Sequence, residues 1–104
     1  DMEHAVSTSW HVVAARDQGR LVGCGRVVSD GVLYALVVDL IVLPEYRSNG
    51  IGGAMLGLLV DHCRQAGIRD LHLFAVAGRA DFYRRRGFSE RPPDAPGMSI
   101  RFAR

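Results

Sequence analysis

The residues best suited to chemistry gather in one stretch, Val38-Asp-Leu-Ile-Val-Leu-Pro-Glu-Tyr-Arg-Ser-Asn-Gly-Ile-Gly-Gly53. β-Branched residues give way to a polar connection and then to glycines that open a helical pattern. The first turn of a helix carries N–H groups with no intrahelical partner, and the aligned peptide dipoles add partial positive charge there. Such an end attracts phosphate. A glycine in a helix costs about 1 kcal/mol relative to alanine, so Gly50, Gly52 and Gly53 ask for a compensating gain. Close approach of backbone to a ligand supplies one. Arg47 adds a charged donor for the same anion. The glycines alone also admit a plainer reading, in which Asn49-Gly50 is a turn and the rest let the helix pack closely.

Two familiar phosphate loops are excluded. A P-loop needs Lys-Ser or Lys-Thr after its last glycine, and Gly53 is followed by Ala54-Met55. The dinucleotide fingerprint fails twice: Gly23-Cys24-Gly25 sits in a strand-like run with Val28 where the third glycine belongs, and Gly50-Ile51-Gly52 is followed by Met55 at that place. Cys24 and Cys63 are too few for a disulfide framework or a four-ligand zinc site, and they read as small apolar core residues of a reduced, cytoplasmic protein without a metal. No export signal precedes the first strand-like run. Arg84-Arg85-Arg86 reads as a solvated helix end that opposes the dipole, and the net charge of +2 is far from that of a chain that grips nucleic acid by charge. The longest apolar stretch, residues 32–43, is too short for a membrane span.

The elements around the glycine-rich segment follow from hydrophobic period. With 104 residues, 48% of them hydrophobic and 23% charged, the chain reads as one domain with one modest core, residues 1–104. Residues 10–15, 21–28 and 32–43 read as three antiparallel strands of a meander, with turns at 17–20 and at Asp30-Gly31. Pro44 ends the third. Ile51, Met55, Leu58, Leu59 and Cys63 recur at helical spacing, and Gly67 ends that helix. Residues 71–75 make a strand parallel to the third, residues 79–86 a short second helix, and residues 88–90 with 98–102 a closing strand pair. The fold class is α+β: a mixed, mostly antiparallel sheet with helices packed on it.

With these elements in place the chain resembles the GNAT N-acetyltransferase superfamily. Arg47-Ser-Asn-Gly-Ile-Gly52 matches its R/Q-x-x-G-x-G/A signature, and Ala80-Asp-Phe-Tyr-Arg-Arg-Arg-Gly-Phe88 is similar to its A-x-F-Y-x-x-x-G-F segment. The resemblance runs from about Trp10 to the end of the chain. It implies a GNAT-like fold lacking much of the usual N-terminal region, and acetyl-CoA as acetyl donor. The backbone of Leu40, Ile41 and Val42 would bond the pantetheine arm like an added strand. Amides of Ser48, Asn49, Gly50, Ile51, Gly52 and Gly53, with Arg47 nearby, would cradle the pyrophosphate. An N–H near Ile41 or Val42 would polarise the thioester carbonyl, and Tyr83 would protonate the leaving thiolate. The resemblance also implies direct transfer to an amine of a small molecule or peptide in a ternary complex, with no nucleic-acid or membrane partner.

Three departures qualify that expectation. Leu36 and Val38 stand where relatives often carry a Glu or His base. Asp39 is the one carboxylate on that strand, and alternation puts it on the face opposite Leu36, Val38 and Leu40 unless a bulge intervenes. His62 and His72 are weaker candidates, and water can carry the proton instead. Val76 stands where many members have Asn. Only nine residues precede Trp10, which implies an open acceptor cleft or one completed by a second subunit, hence a homodimer. The alternative function is a noncatalytic acyl-CoA-binding module whose open acceptor side contacts a protein.

Overall fold

β1 (His11–Asp17) and β2 (Arg20–Ser29) form where β-branched residues suit a pleated surface, and they pair antiparallel across a two-residue turn. β3 (Tyr34–Val42) pairs antiparallel with β2, and β4 (Asp70–Leu73) pairs parallel with β3, giving the order β1-β2-β3-β4. Helix α1 (Ile51–Gln65) makes the crossover that a parallel pair requires. This is the mixed, mostly antiparallel sheet expected. The computed structural model describes residues 9–102 and divides into two compact units, one ending at Phe74 and one beginning at Ala75. No helix among the described residues is long and apolar enough to cross a membrane.

β3 begins at Tyr34, two residues later than expected, because the Asp30 carboxylate gathers the turn around itself. Its Oδ1 accepts from the amides of Val32 (2.8 Å), Leu33 (2.9 Å) and Tyr34 (3.3 Å), and these bonds hold the carboxyl below its usual range. α1 ends as Gly67 foretold. The Ile68 amide donates to Cys63 O (3.0 Å) and the Gly67 amide to Arg64 O (3.2 Å), a Schellman pair.

α1 lays Met55, Leu56, Leu59 and Cys63 on the sheet, with Leu56 and Leu59 fully buried beside Val27. Leu58, expected on that side, is 59% exposed, since it sits one residue off the stripe that Leu56 completes. Gly23-Cys24-Gly25 proves to be a packing device. A Cβ on Gly25 would stand 3.1 Å from Leu40 Cδ1, 3.1 Å from Leu59 Cδ1 and 3.3 Å from Val13 Cγ2, so glycine is what lets the helix settle on the strand.

A β-bulge re-aims β3. Arg26 opposes Asp39 but Val27 opposes Val37, which leaves Val38 as the extra residue. Alternation therefore breaks there. Leu40 packs beside Gly25 on the α1 side, while Asp39 shares the opposite face with its ion-pair partner Arg26 and with Leu36. The unbroken alternation that would separate Asp39 from Leu36 is corrected accordingly.

In the second unit, α2 (Ala80–Arg84) is shorter than the expected 79–86. Tyr83 stands edge-on to Phe82 (5.1 Å between centroids) and Phe88 (6.0 Å). The expected strands at 88–90 and 98–102 are absent from the described residues. An alternating segment becomes a strand only against a paired edge, and Met98, Ile100 and Phe102 remain 85%, 81% and 80% exposed.

On the α1 side of β1, the His11 and His62 rings stack at 3.5 Å with Trp10 edge-on to His62 at 5.0 Å. Burial, and then the neighbouring His62, push the His11 imidazole below its ordinary 6.5. The unfolded chain therefore binds this proton first, and stability falls as pH drops through about 6.5 towards the folded value. Thermal midpoints measured between about pH 7.5 and 5.5 should decline in the parent and flatten in His11→Phe. Equal slopes would show that the stack carries no such cost.

Candidate active site

β3 outlasts its parallel neighbour. The last β3–β4 pair is Val37 with Leu73, and β3 runs on to Val42 with no strand beside it on that edge among the described residues. Which groups the edge presents follows from the register. Leu43 donates its amide to Val22 O at 2.9 Å, so the pairs 22–43, 24–41 and 26–39 face into the β2 ladder. Leu40 and Val42 turn their N–H and C=O groups the other way, towards the open edge. Ile41, grouped with them from sequence, directs its amide into β2.

The edge leads straight into the glycine-rich loop. Pro44–Tyr46 forms a 3-10 turn, and Arg47 reaches back so that its Nε donates to Val42 O at 3.0 Å. One nitrogen of the expected anion donor is thus tied to the strand. Ser48 is held at a φ of 67°, a left-handed conformation that costs a residue with a Cβ roughly 1 kcal/mol or more. Gly50 follows at 80° as the N-cap of α1, and no side chain caps the helix. The first-turn amides of Ile51, Gly52 and Gly53 therefore stand without a side-chain acceptor at the positive end of a fifteen-residue dipole. Ser48, Asn49 and Gly50 are exposed, and Ile51, Gly52 and Gly53 half-buried. Chemically, the first unit joins a strip of strand backbone that its neighbours only partly satisfy to an anion-attracting helix start.

The remaining candidates divide. Tyr83 lies half-buried on α2 in the second unit, within its ring cluster. Asp39 is already held in the ion pair with Arg26, which occupies it as an acceptor. His62 is taken up in the stack with His11, and His72 lies 6.4 Å from the Tyr34 ring. Burial pushes both the Cys24 and Cys63 thiols up, away from thiolate chemistry, as expected of core cysteines. Of the arginine run, Arg84 bonds Asp81 and Glu90, and Arg86 lies 4.0 Å over the Phe82 ring.

An acetyltransferase (GNAT) domain model matches residues 8–90. The chain belongs to the GNAT acetyltransferase family. It is similar to "Histone acetyltransferase TAP1" of Glycine max, at 34% identity over 95 residues, 91% of this chain and 41% of that protein. It is also similar to "Serotonin N-acetyltransferase 2, chloroplastic" of Oryza sativa, at 32% identity over 99 residues, 95% of this chain and 50% of that one. The chain thus spans half or less of the length of these relatives. A solved GNAT family acetyltransferase of Streptococcus pneumoniae superposes with a TM-score of 0.83 at 30% identity, covering 99% of this chain and 78% of the other.

In this GNAT chain, sequence placed the glycines at the helix start with Arg47 just before them but missed the Arg47–Val42 tether and the separation of Ile41 from Leu40 and Val42. Neither leaves a signal in one dimension, because both depend on the β2–β3 register. Gly50 offers a clean test of the loop: a Cβ there would meet nothing within 4 Å, so the cost of Gly50→Ala is conformational alone. Urea denaturation should show a loss of about 1 kcal/mol. An unchanged midpoint would mean that the loop does not depend on the left-handed cap.

Proposed function

We propose that this GNAT domain is an N-acetyltransferase that moves an acetyl group from acetyl-CoA to an amine by direct attack in a ternary complex. The observation that supports it most is the continuity of the open β3 edge with the uncapped start of α1. The groups present fit the donor: the amide-bearing arm of CoA suits the outward N–H and C=O groups of Leu40, beside the free N–H of Val42, and its pyrophosphate suits the amides from Ser48 to Gly53. Ile41 contributes from within the ladder by holding that edge in register. When bound, acetyl-CoA supplies an activated acyl group as a thioester.

The Val42 N–H polarises the acyl carbonyl, an oxyanion-hole interaction supplied by backbone. Arg47 bridges the strand end and the phosphate loop. Tyr83, by its place in the A-x-F-Y-x-x-x-G-F segment, donates a proton to the departing thiolate; an ordinary phenol, with a pKa of about 10, suits that transfer. With Asp39 committed to Arg26, the proton of the incoming amine passes to water. The names of two relatives, one for a histone and one for serotonin, support reading the acceptor as an amine of a peptide or a small molecule.

The domain acts as a homodimer in this reading, and the exposed, alternating Met98, Ile100 and Phe102 supply apolar surface for it. Two free, buried cysteines suit a reducing compartment, the cytoplasm in this reading.

Calorimetric titration with acetyl-CoA, beside a thiol-release assay over a panel of amines, tests the whole proposal. Tyr83→Phe should lower kcat by about 100-fold with the acetyl-CoA Kd unchanged. Retained turnover would remove Tyr83 from the mechanism. Binding without amine-dependent release would favour the noncatalytic module, and a monomer mass by light scattering would exclude the dimer.

A further inference from the structure

The 3-10 turn Pro44–Tyr46 leads directly into Arg47, yet none of its residues is buried. Its backbone is closed by Tyr46 N–H to Leu43 O (2.9 Å) and Arg47 N–H to Pro44 O (3.3 Å), which shape the turn without fixing where it sits. Two side-chain pairs do that. The Tyr46 hydroxyl donates to Asp17 Oδ2 at 2.7 Å, and Arg20 Nη2 stands 3.5 Å from Glu45 Oε2. Asp17 and Arg20 are cross-strand partners on either side of the β1–β2 turn, where Gln18 and Gly19 take φ values of 51° and 83°, the twist of a type I′ turn. One tight hairpin end thus grips two successive residues immediately before the phosphate loop.

We infer that Asp17 and Arg20 are positioning residues for the donor site, holding the start of the Arg47–Gly52 loop through Tyr46 and Glu45. This rests on the acetyl-CoA reading above. The two pairs are unequal. Arg20 and Glu45 are 60% and 57% exposed, and an exposed ion pair contributes little. The Tyr46–Asp17 bond is short and charge-assisted, and the carboxylate pushes the Tyr46 phenol up. Most of the tether lies there. Beyond the Arg47 Nε–Val42 O bond, the loop it feeds has little hold of its own, since Ser48 and Asn49 are exposed and α1 has no side-chain cap.

Calorimetry with acetyl-CoA on the whole chain tests the tether. Tyr46→Phe, which keeps the ring and its packing, should weaken binding about three- to tenfold, and Asp17→Ala by a similar factor. The double variant should bind no worse than the weaker single one, because both remove the same bond. Asp17→Asn keeps an acceptor for the phenol and should stay within about twofold of the parent, a rescue that general loosening of the hairpin would not give. Arg64→Ala, which breaks an exposed pair on α1, should change nothing. Parent binding with unaltered variants, or with additive losses, would overturn the tether alone. No binding by the parent would overturn the donor-site reading with it.

Discussion

Backbone N–H and C=O groups must find partners, and β3 is arranged so that some of its own find none in the sheet. Past Val37 its parallel neighbour has ended, while β2 still claims every second residue. Leu40 and Val42 are left addressing an edge with one internal answer, the Arg47 guanidinium on the Val42 carbonyl. The open edge follows from that mismatch in strand length. Such a strip of backbone, running into a bare helix terminus, has the groups that a chain-like anion would need, and the proposed donor site rests on it.

The surrounding structure keeps this edge rigid. The bulge at Val38 coincides with the point where β4 stops, so pairing, side-chain parity and direction change within one residue. Behind it, Gly25 lets Leu40, Leu59 and Val13 close over the strand, and Gly23 leaves room for the Met55 methyl group 3.1 Å from where a Cβ would stand. The core thereby anchors both the strand and the helix that bracket the loop. The loop itself is governed by polar contacts on an exposed surface, where apolar burial has little to contribute.

The same bulge bears on proton transfer. It brings Asp39 to the face of Leu36, the place where a base would be sought, and also sets it directly against Arg26. A carboxylate in that pair is an electrostatic strut between β2 and β3. The face on which the family resemblance would seek a base is apolar at Leu36 and occupied at Asp39, which is why water takes that role in the proposal.

Local chemistry was legible in the residues: the helix start at Gly50 to Gly53, the Schellman stop at Gly67, the hairpin turn at 17–20, the meander and the family signature around Arg47. Each depends on near neighbours in the chain, through backbone conformation or hydrophobic period. Residues 98–102 show where that legibility stops, because alternation specifies a strand only when an edge is at hand to pair with. Tertiary structure alone decided that Leu40 and Val42 face outward while Ile41 does not, that Asp39 is neutralised by Arg26, and that Asp17 holds Tyr46. These are outcomes of strand register and of contacts between residues far apart in sequence. A shift of one residue in pairing reverses every face, and no single stretch of the chain records it.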